Sequence, residues 1–192
     1  FFTAGGTEAD NWAILSTVKR FGKKNKHIIS TAIEHPAVLN VMKELEAQGF
    51  EVTYLQPDES GRITLESLKT ALRSDTILVS IMMVNNETGA VMPIDKMAKL
   101  THRICPDAVF HTDAVQAVGH LKINVKEENI DMLSLSAHKF HGPRGVGALY
   151  VRRGLFLRNL IEGGAQERNK RAGTENLPAI CGLAAALQDA CD

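Results

Sequence analysis

The chain has 192 residues, 22 Lys+Arg against 22 Asp+Glu, 44% hydrophobic residues and 5% aromatic residues. A formal net charge of zero excludes a chain-wide attraction to polyanions, so a general nucleic-acid binder is not expected. No apolar run reaches the ~18–20 residues that a membrane-spanning helix needs.

Short apolar runs alternate with amphipathic segments along the chain. Strands are predicted at residues 27–30, 51–55, 76–83, 109–112, 132–136 and 146–151, and helices from Gly6 past Leu15 and at 37–46, 64–72, 93–102 and around 177–192. This alternation predicts an α/β fold with a mostly parallel sheet flanked by helices. The last two strands are joined too closely for a crossover helix and should pair antiparallel.

The chain ends and the cysteines bear on its context. Phe1-Phe2-Thr3 runs straight into a glycine motif, and Cys191-Asp192 falls inside a predicted helix, so we expect a piece of a longer protein. Cys105, Cys181 and Cys191 are too scattered for a disulfide framework and lack metal-ligand spacing. We interpret them as structural thiols of a cytoplasmic protein.

Polar motifs follow several predicted strands, where open parallel sheets bind ligands. Gly5-Gly6-Thr7 at a helix start could bind an anion or could be an ordinary capped turn. His35 before Pro36 could be a loop residue that caps the next helix. Asn85-Asn86 could fix a substrate or shape a turn, and Asp113 could cap a helix or face a ligand.

Lys139 lies just past a predicted buried strand, in Ser136-Ala137-His138-Lys139 ahead of a glycine-rich turn. If this lysine is stripped of water, it loses its proton more easily and could form a Schiff base. A surface turn is the alternative. The glycines after it lead into a strand rather than a helix, which disfavours a nucleotide loop.

A metal site is the other possibility that these motifs raise. His111 and Asp113 would share one face of a strand, with His138 and His141 further along. No helical His pair or Cys partner completes a ligand set, so no metal is expected.

Six segments together resemble the cysteine desulfurases, pyridoxal-phosphate enzymes of the class-V aminotransferase type, across essentially the whole chain. They are Thr3-Ala4-Gly5-Gly6-Thr7-Glu8, Glu34-His35-Pro36, Asn85-Asn86-Glu87-Thr88-Gly89, His111-Thr112-Asp113-Ala114-Val115-Gln116, Ser136-Ala137-His138-Lys139 and Arg171-Ala172-Gly173-Thr174-Glu175-Asn176. The resemblance implies that residues 1–192 form the large cofactor-binding domain of a fold type I enzyme. The N-terminal segment and the C-terminal small domain would lie outside the chain.

The resemblance also assigns roles to individual residues. Lys139 would form the Schiff base with pyridoxal 5'-phosphate and His35 would stack on its ring, the two being the catalytic candidates. Asp113 would face the ring nitrogen. Gln116 would bond the phenolic oxygen, and Asn86 would help place that oxygen and the substrate carboxylate. Gly6, Thr7, Ser136 and His138 would bind the phosphate, and Thr174 would reach the phosphate of a neighbouring subunit in a homodimer.

The implied reaction removes sulfur from L-cysteine to give L-alanine and an enzyme persulfide, for iron–sulfur cluster or thio-cofactor synthesis. Sulfur-acceptor or scaffold proteins are the implied partners, with no nucleic acid and no membrane. The family's persulfide cysteine and its carboxylate-binding arginine do not match any residue of this chain. We therefore expect the chain alone to bind the cofactor without releasing sulfide.

Three other functions remain open at this stage. Selenocysteine lyases share all six segments, and the loop that would separate the two activities is not in this sequence. Another class-V aminotransferase or a lyase that needs no persulfide is a second alternative. A non-catalytic nucleotide-binding or scaffold domain is a more distant one.

Overall fold

The computed structural model describes residues 1–21 and 26–191. Seven strands form one sheet: β1 (Phe2–Thr3), β2 (His27–Thr31), β3 (Glu51–Leu55), β4 (Thr76–Ser80), β5 (Val109–Asp113), β6 (Met132–Ser136) and β7 (Gly147–Val151). The helices are α1 (Gly6–Phe21), α2 (Pro36–Ala47), α3 (Leu65–Ala71), α4 (Ile94–Ile104), α5 (Gln166–Asn169) and α6 (Leu177–Cys191), with a 3₁₀ helix at Ala137–Phe140.

The sheet has the strand order β1-β7-β6-β5-β4-β2-β3. Strands β2 to β6 pair in parallel, whereas β7 runs antiparallel to both β6 and β1. The predicted mostly parallel sheet flanked by helices is therefore confirmed, as is the antiparallel pairing of the last two long strands. Strand β1 was not predicted, because two residues are too few to show a periodicity.

Each central strand is buried on both faces, and its residues alternate between two apolar cores. Leu78, Val109 and Met132 pack under α1 and α2 in one core. Their chain neighbours Val79, Phe110 and Leu133 pack in the core that includes α3 and α4 residues. Helix α1 contacts β4 to β7, so it lies across the middle of the sheet.

Local sequence features set where the elements around the site begin and end. Helix α2 begins at Pro36, whose fixed φ suits a first helical turn, and the His35 Nδ1 accepts a hydrogen bond from the Ala37 amide at 3.1 Å. Strand β4 ends at Ser80, three residues before its predicted end, although Ile81 to Met83 stay buried. The Met82 amide there turns to a side chain, donating to Glu34 Oε1 at 2.9 Å, instead of continuing the sheet ladder.

The helices in the described residues include none that is both long and apolar enough to cross a bilayer.

Candidate active site

A cavity of about 360 Å³ opens at the carboxyl ends of the parallel strands. The chain passes from β2 outward to β3 and then returns to β4 on the other side of β2, so the strand order reverses there, as at many ligand sites of α/β proteins. All the predicted cofactor-binding residues except Thr174 line this cavity. Its lining comprises Gly6, Thr7, Asp10, His35, Met82, Asn86, Glu87, Asp113, Val115, Gln116, Ser136, His138 and Lys139.

One end of the cavity is built from the start of α1 and the end of β6. The first turn of a helix leaves backbone N–H groups without intrahelical partners, and these attract anions. Gly6 keeps this end open, because a Cβ added there would lie 2.7 Å from Val115 Cγ2. On the β6 side, Ser136 Oγ lies 2.9 Å from His138 Nδ1. The same residues border a larger cleft of about 970 Å³ that also contains Arg144.

Asp113 lies at the end of β5 and is 7% exposed. Its Oδ1 accepts a hydrogen bond from the Val115 amide at 2.8 Å, so it shapes the turn as well as lining the cavity. Burial raises the pKa of Asp113, while that hydrogen bond and the charge of Lys139 oppose the rise. Lys139 thus favours the ionised form of this carboxyl group.

Lys139 lies in the 3₁₀ helix directly after β6, and its side chain is exposed. Within the described residues this amine is therefore not stripped of water, and its surroundings are those of the surface-turn alternative. The reason is geometric: the 3₁₀ helix brings Lys139 to the mouth of both cavities, where no segment of the described chain covers it. Its placement among the other predicted residues agrees with a role in the site.

The two asparagines after β4 have different surroundings. Asn85 is buried and shapes the turn, since its Oδ1 accepts from the Glu87 and Thr88 amides and its Nδ2 donates to the Ile33 carbonyl. Asn86 lines the cavity together with Gln116. Asn85 therefore shapes the turn, and Asn86 is the residue of the pair that is placed to contact a ligand.

Thr174 lies outside this group, in a separate cavity of about 200 Å³. Phe2, Thr3 and Gly145 line that cavity with it, whereas Lys139 does not. The role that the resemblance gives Thr174, contact with a neighbouring subunit, stays a prediction.

A polar row beneath α1 was not predicted. Ser80, His111 and Ser134 follow the apolar residues Leu78, Val109 and Met132 by two positions each, and so face the same side of the sheet. The His111 ring is fully buried, with Nδ1 2.9 Å from Ser80 Oγ and Nε2 3.0 Å from Ser134 Oγ. Burial lowers the pKa of His111 to about 3, so the ring is neutral at pH 7.

Two buried carboxyl groups near the cavity were also not predicted to be site residues. Asp10 on α1 is 1% exposed and lies 3.6 Å from His111 Nε2. Glu34 is 5% exposed and accepts hydrogen bonds from Thr31 Oγ1 at 2.7 Å and from the Met82 amide. Burial raises the pKa of Glu34 to about 8. Asp10 could have been identified from the sequence, because it is the one acidic residue on a face of α1 that otherwise carries apolar and small residues.

The histidines do not assemble into a metal site. Residues 1–21 and 26–191 contain no group of three or more His, Cys, Asp or Glu side chains placed to hold a metal ion. Among the cysteines, Cys105 is buried, which agrees with a structural thiol, while Cys181 and Cys191 are exposed on α6.

Comparison with known proteins agrees with this architecture. Residues 1–189 match the family model of the class-V aminotransferases. A cysteine desulfurase IscS of Clostridium botulinum is 53% identical over 188 residues, which are 98% of this chain and 47% of that protein. The chain therefore spans about half the length of the curated relatives it matches.

Solved structures give the same result. A NifS-like protein superposes with a TM-score of 0.97 at 43% identity, covering 100% of this chain and 52% of that one. A structure described as SspA in complex with cysteine superposes with a TM-score of 0.92 at 46% identity, covering 97% of this chain and 54% of the other. The resemblance stated from the six segments is confirmed by these relatives.

Proposed function

Because the chain belongs to the class-V aminotransferase family, we propose that it is the cofactor-binding part of a pyridoxal-phosphate-dependent cysteine desulfurase. In the proposed reaction the C–S bond of L-cysteine breaks, L-alanine leaves, and the sulfur joins a protein thiol as a persulfide. That persulfide would supply iron–sulfur cluster or thio-cofactor synthesis in the cytoplasm. The observation that supports this most is the meeting of Lys139, Asp113 and His35 in one cavity with the start of α1.

The residues of the cavity suit pyridoxal phosphate at both of its ends. A dianionic phosphate fits the start of α1. Gly6 has no side chain to fill the space there, and Thr7, Ser136 and His138 offer polar groups. A buried carboxyl group, Asp113, suits a protonated ring nitrogen. Around the ring, His35 would stack, and Asn86 and Gln116 would contact the phenolic oxygen.

Bound pyridoxal phosphate would withdraw electrons from the substrate carbon that carries the amine, most strongly with its ring nitrogen protonated. The charge of Asp113 favours that proton. Lys139 would attach the cofactor covalently and, when its amine is free, would accept and donate protons at the substrate carbon. His35, whose backbone starts α2 and whose Nδ1 is engaged with the Ala37 amide, would be held in one orientation over the ring.

A homodimer is part of the proposal. Thr174 lies away from the cavity of its own chain, which is consistent with a contact to the phosphate in a second copy. The thiol that receives sulfur would come from elsewhere in the protein, because the resemblance does not match Cys105, Cys181 or Cys191 to it. Sulfur-acceptor or scaffold proteins would then take the sulfur from the persulfide.

The first test identifies the lysine. The protein is incubated with pyridoxal phosphate, reduced with borohydride and digested, and the labelled peptide is sequenced by mass spectrometry. We expect the label on Lys139 and its loss in Lys139→Ala. Lys99→Ala is the matched control, because Lys99 is an exposed lysine on α4, away from the cavity. Equal labelling of Lys139→Ala and the unsubstituted protein would contradict the assignment.

The second test identifies the substrate. Alanine and sulfide are quantified from L-cysteine and, in parallel, alanine and selenide from L-selenocysteine, using the longest natural form of the protein that contains this chain. Faster turnover of cysteine in the presence of an acceptor thiol supports a desulfurase. Turnover of selenocysteine alone would identify a selenocysteine lyase instead. The chain of 192 residues by itself is expected to bind the cofactor without rapid sulfide release.

A further inference from the structure

Three carboxyl groups converge under the cavity, from three different segments. Asp10 on α1, Glu34 after β2 and Asp113 at the end of β5 are 1%, 5% and 7% exposed. Asp10 and Asp113 both line the cavity, and Glu34 binds the amide of Met82, another lining residue. Three negative charges in so small a buried space would be strongly unfavourable, so some of these groups must hold protons.

The groups that favour a negative charge act on Asp113. Lys139 stabilises its ionised form, and the Val115 amide donates to it at 2.8 Å. The basic side chain nearest Asp10 is His111, with 3.6 Å between Nε2 and Oδ1. That ring is fully buried between two serines and is neutral at pH 7, so it gives Asp10 no compensating charge.

One oxygen of Asp10 also lacks the hydrogen bond that a buried carboxylate needs. Its Oδ1 is inaccessible to solvent and has no hydrogen-bond partner. An ionised carboxylate accepts only, and leaving such an oxygen without a donor costs more than leaving a neutral acid in the same place. Burial and the charge of Asp113 raise the pKa of Asp10 well above its usual range, and the Ser134 hydroxyl opposes this rise.

Building on the proposed function, we propose that Asp10 is a positioning residue that stays protonated, so that the negative charge lies on Asp113, opposite the cofactor's ring nitrogen. An ionised Asp10 would repel the charge on Asp113 and favour protonation of the wrong carboxyl group. A neutral Asp10 fills the space between α1 and β5 with a polar group and leaves Asp113 free to ionise. Asp10 acts through Asp113 and requires no contact with substrate.

Infrared difference spectroscopy tests this assignment directly, because a protonated carboxylic acid and a carboxylate absorb at different frequencies. Spectra of Asp10→Asn and Asp113→Asn are subtracted from that of the unsubstituted protein at pH 7, with and without pyridoxal phosphate. The longest natural form of the protein that contains this chain is used. Asp131→Asn is the matched control, because Asp131 is 1% exposed but is ion-paired with Arg152 at 2.6 Å.

We expect Asp10→Asn to lose the band of one protonated acid per chain, and Asp113→Asn and Asp131→Asn to lose carboxylate bands. Loss of carboxylate bands in Asp10→Asn, or of an acid band in Asp113→Asn, would overturn the proposal. If Asp10→Asn does not fold, ¹³C NMR of the unsubstituted protein with labelled aspartate carboxyl groups decides, since the absence of any protonated aspartate at pH 7 overturns it too.

The protonation of Asp10 can be tested independently of the proposed function. The spectra without pyridoxal phosphate report the protonation of Asp10 whether or not the protein is a desulfurase. Conversely, labelling of Lys139 and turnover of cysteine can succeed when Asp10 proves to be ionised. The carboxylate band that Asp113→Asn loses is the readout of the positioning role, because it shows that the negative charge lies on Asp113 and not on Asp10.

Discussion

Replacing Glu34 by glutamine should change how the stability of the protein depends on pH. Glu34 is 5% exposed, its Oε1 accepts two hydrogen bonds, and its Oε2 is buried without a partner. Burial raises its pKa to about 8 from the ordinary value of 4.5. Between these two values the folded protein keeps a proton that the unfolded chain releases.

Proton linkage gives the sign and the size of the change in unfolding free energy with pH. Where the folded state binds more protons than the unfolded state, the free energy of unfolding falls as pH rises, by ~1.4 kcal/mol per pH unit for one group. Because folded Glu34 keeps its proton, the free energy of unfolding of the unsubstituted protein falls by about 3 kcal/mol from pH 5 to pH 7. Glutamine cannot ionise, so Glu34→Gln lacks this cost while its amide oxygen can keep the bonds to Thr31 and Met82.

Urea denaturation followed by circular dichroism measures the effect in the cofactor-free protein. At pH 5 the unfolding free energies of Glu34→Gln and the unsubstituted protein should agree within about 1 kcal/mol, since the protonated acid and the amide have similar hydrogen-bonding needs. By pH 7 the variant should be more stable by about 3 kcal/mol. A buried group that does not interact with Glu34, such as His111, contributes equally to both proteins and cancels in the difference.

Glu59→Gln provides the control, because Glu59 is exposed in the turn before α3. Its unfolding free energy should follow that of the unsubstituted protein across the whole range. Parallel pH profiles for Glu34→Gln and the unsubstituted protein would refute the reasoning, because they would mean that Glu34 is ionised in the folded state.

Two further substitutions test the cavity and the core. Gly6→Ala should weaken pyridoxal phosphate binding at least tenfold in an absorbance titration, because the new Cβ would lie 2.7 Å from Val115 Cγ2. The double variant Gly6→Ala/Val115→Ala should recover most of the affinity. If the double variant binds no better than Gly6→Ala, this clash is not the cause. Trp12→Phe should lower the unfolding free energy by about 2 kcal/mol, because the indole Nε1 donates to the Arg158 carbonyl at 2.7 Å and the side chain is 1% exposed. Circular dichroism is the readout for Trp12→Phe, since Trp12 is the chain's one tryptophan, and an unchanged urea midpoint would contradict a contribution from this bond.

The location of the site could be predicted from sequence because its residues follow strands. Asp113 ends a buried strand, Asn86 and Lys139 come shortly after one, and parallel strands bring such positions to one edge of a sheet. The exposure of Lys139 could not be decided from sequence for a related reason. The residues that follow a strand can be identified locally, but the segments that cover them come from distant parts of the fold.

The sequence by itself determined the succession of the long strands along the chain, a mostly parallel sheet with an antiparallel last pair, and the group of residues at the carboxyl ends of the strands, because hydrophobic periodicity and loop length are local properties of the chain. Only the tertiary structure decided which polar groups meet beneath that edge. Asp10 lies more than 100 residues from Asp113 and His111, and no local pattern states that α1 crosses β5 at that point. Protonation depends on such distant neighbours and on burial, so the charges of the site follow from packing.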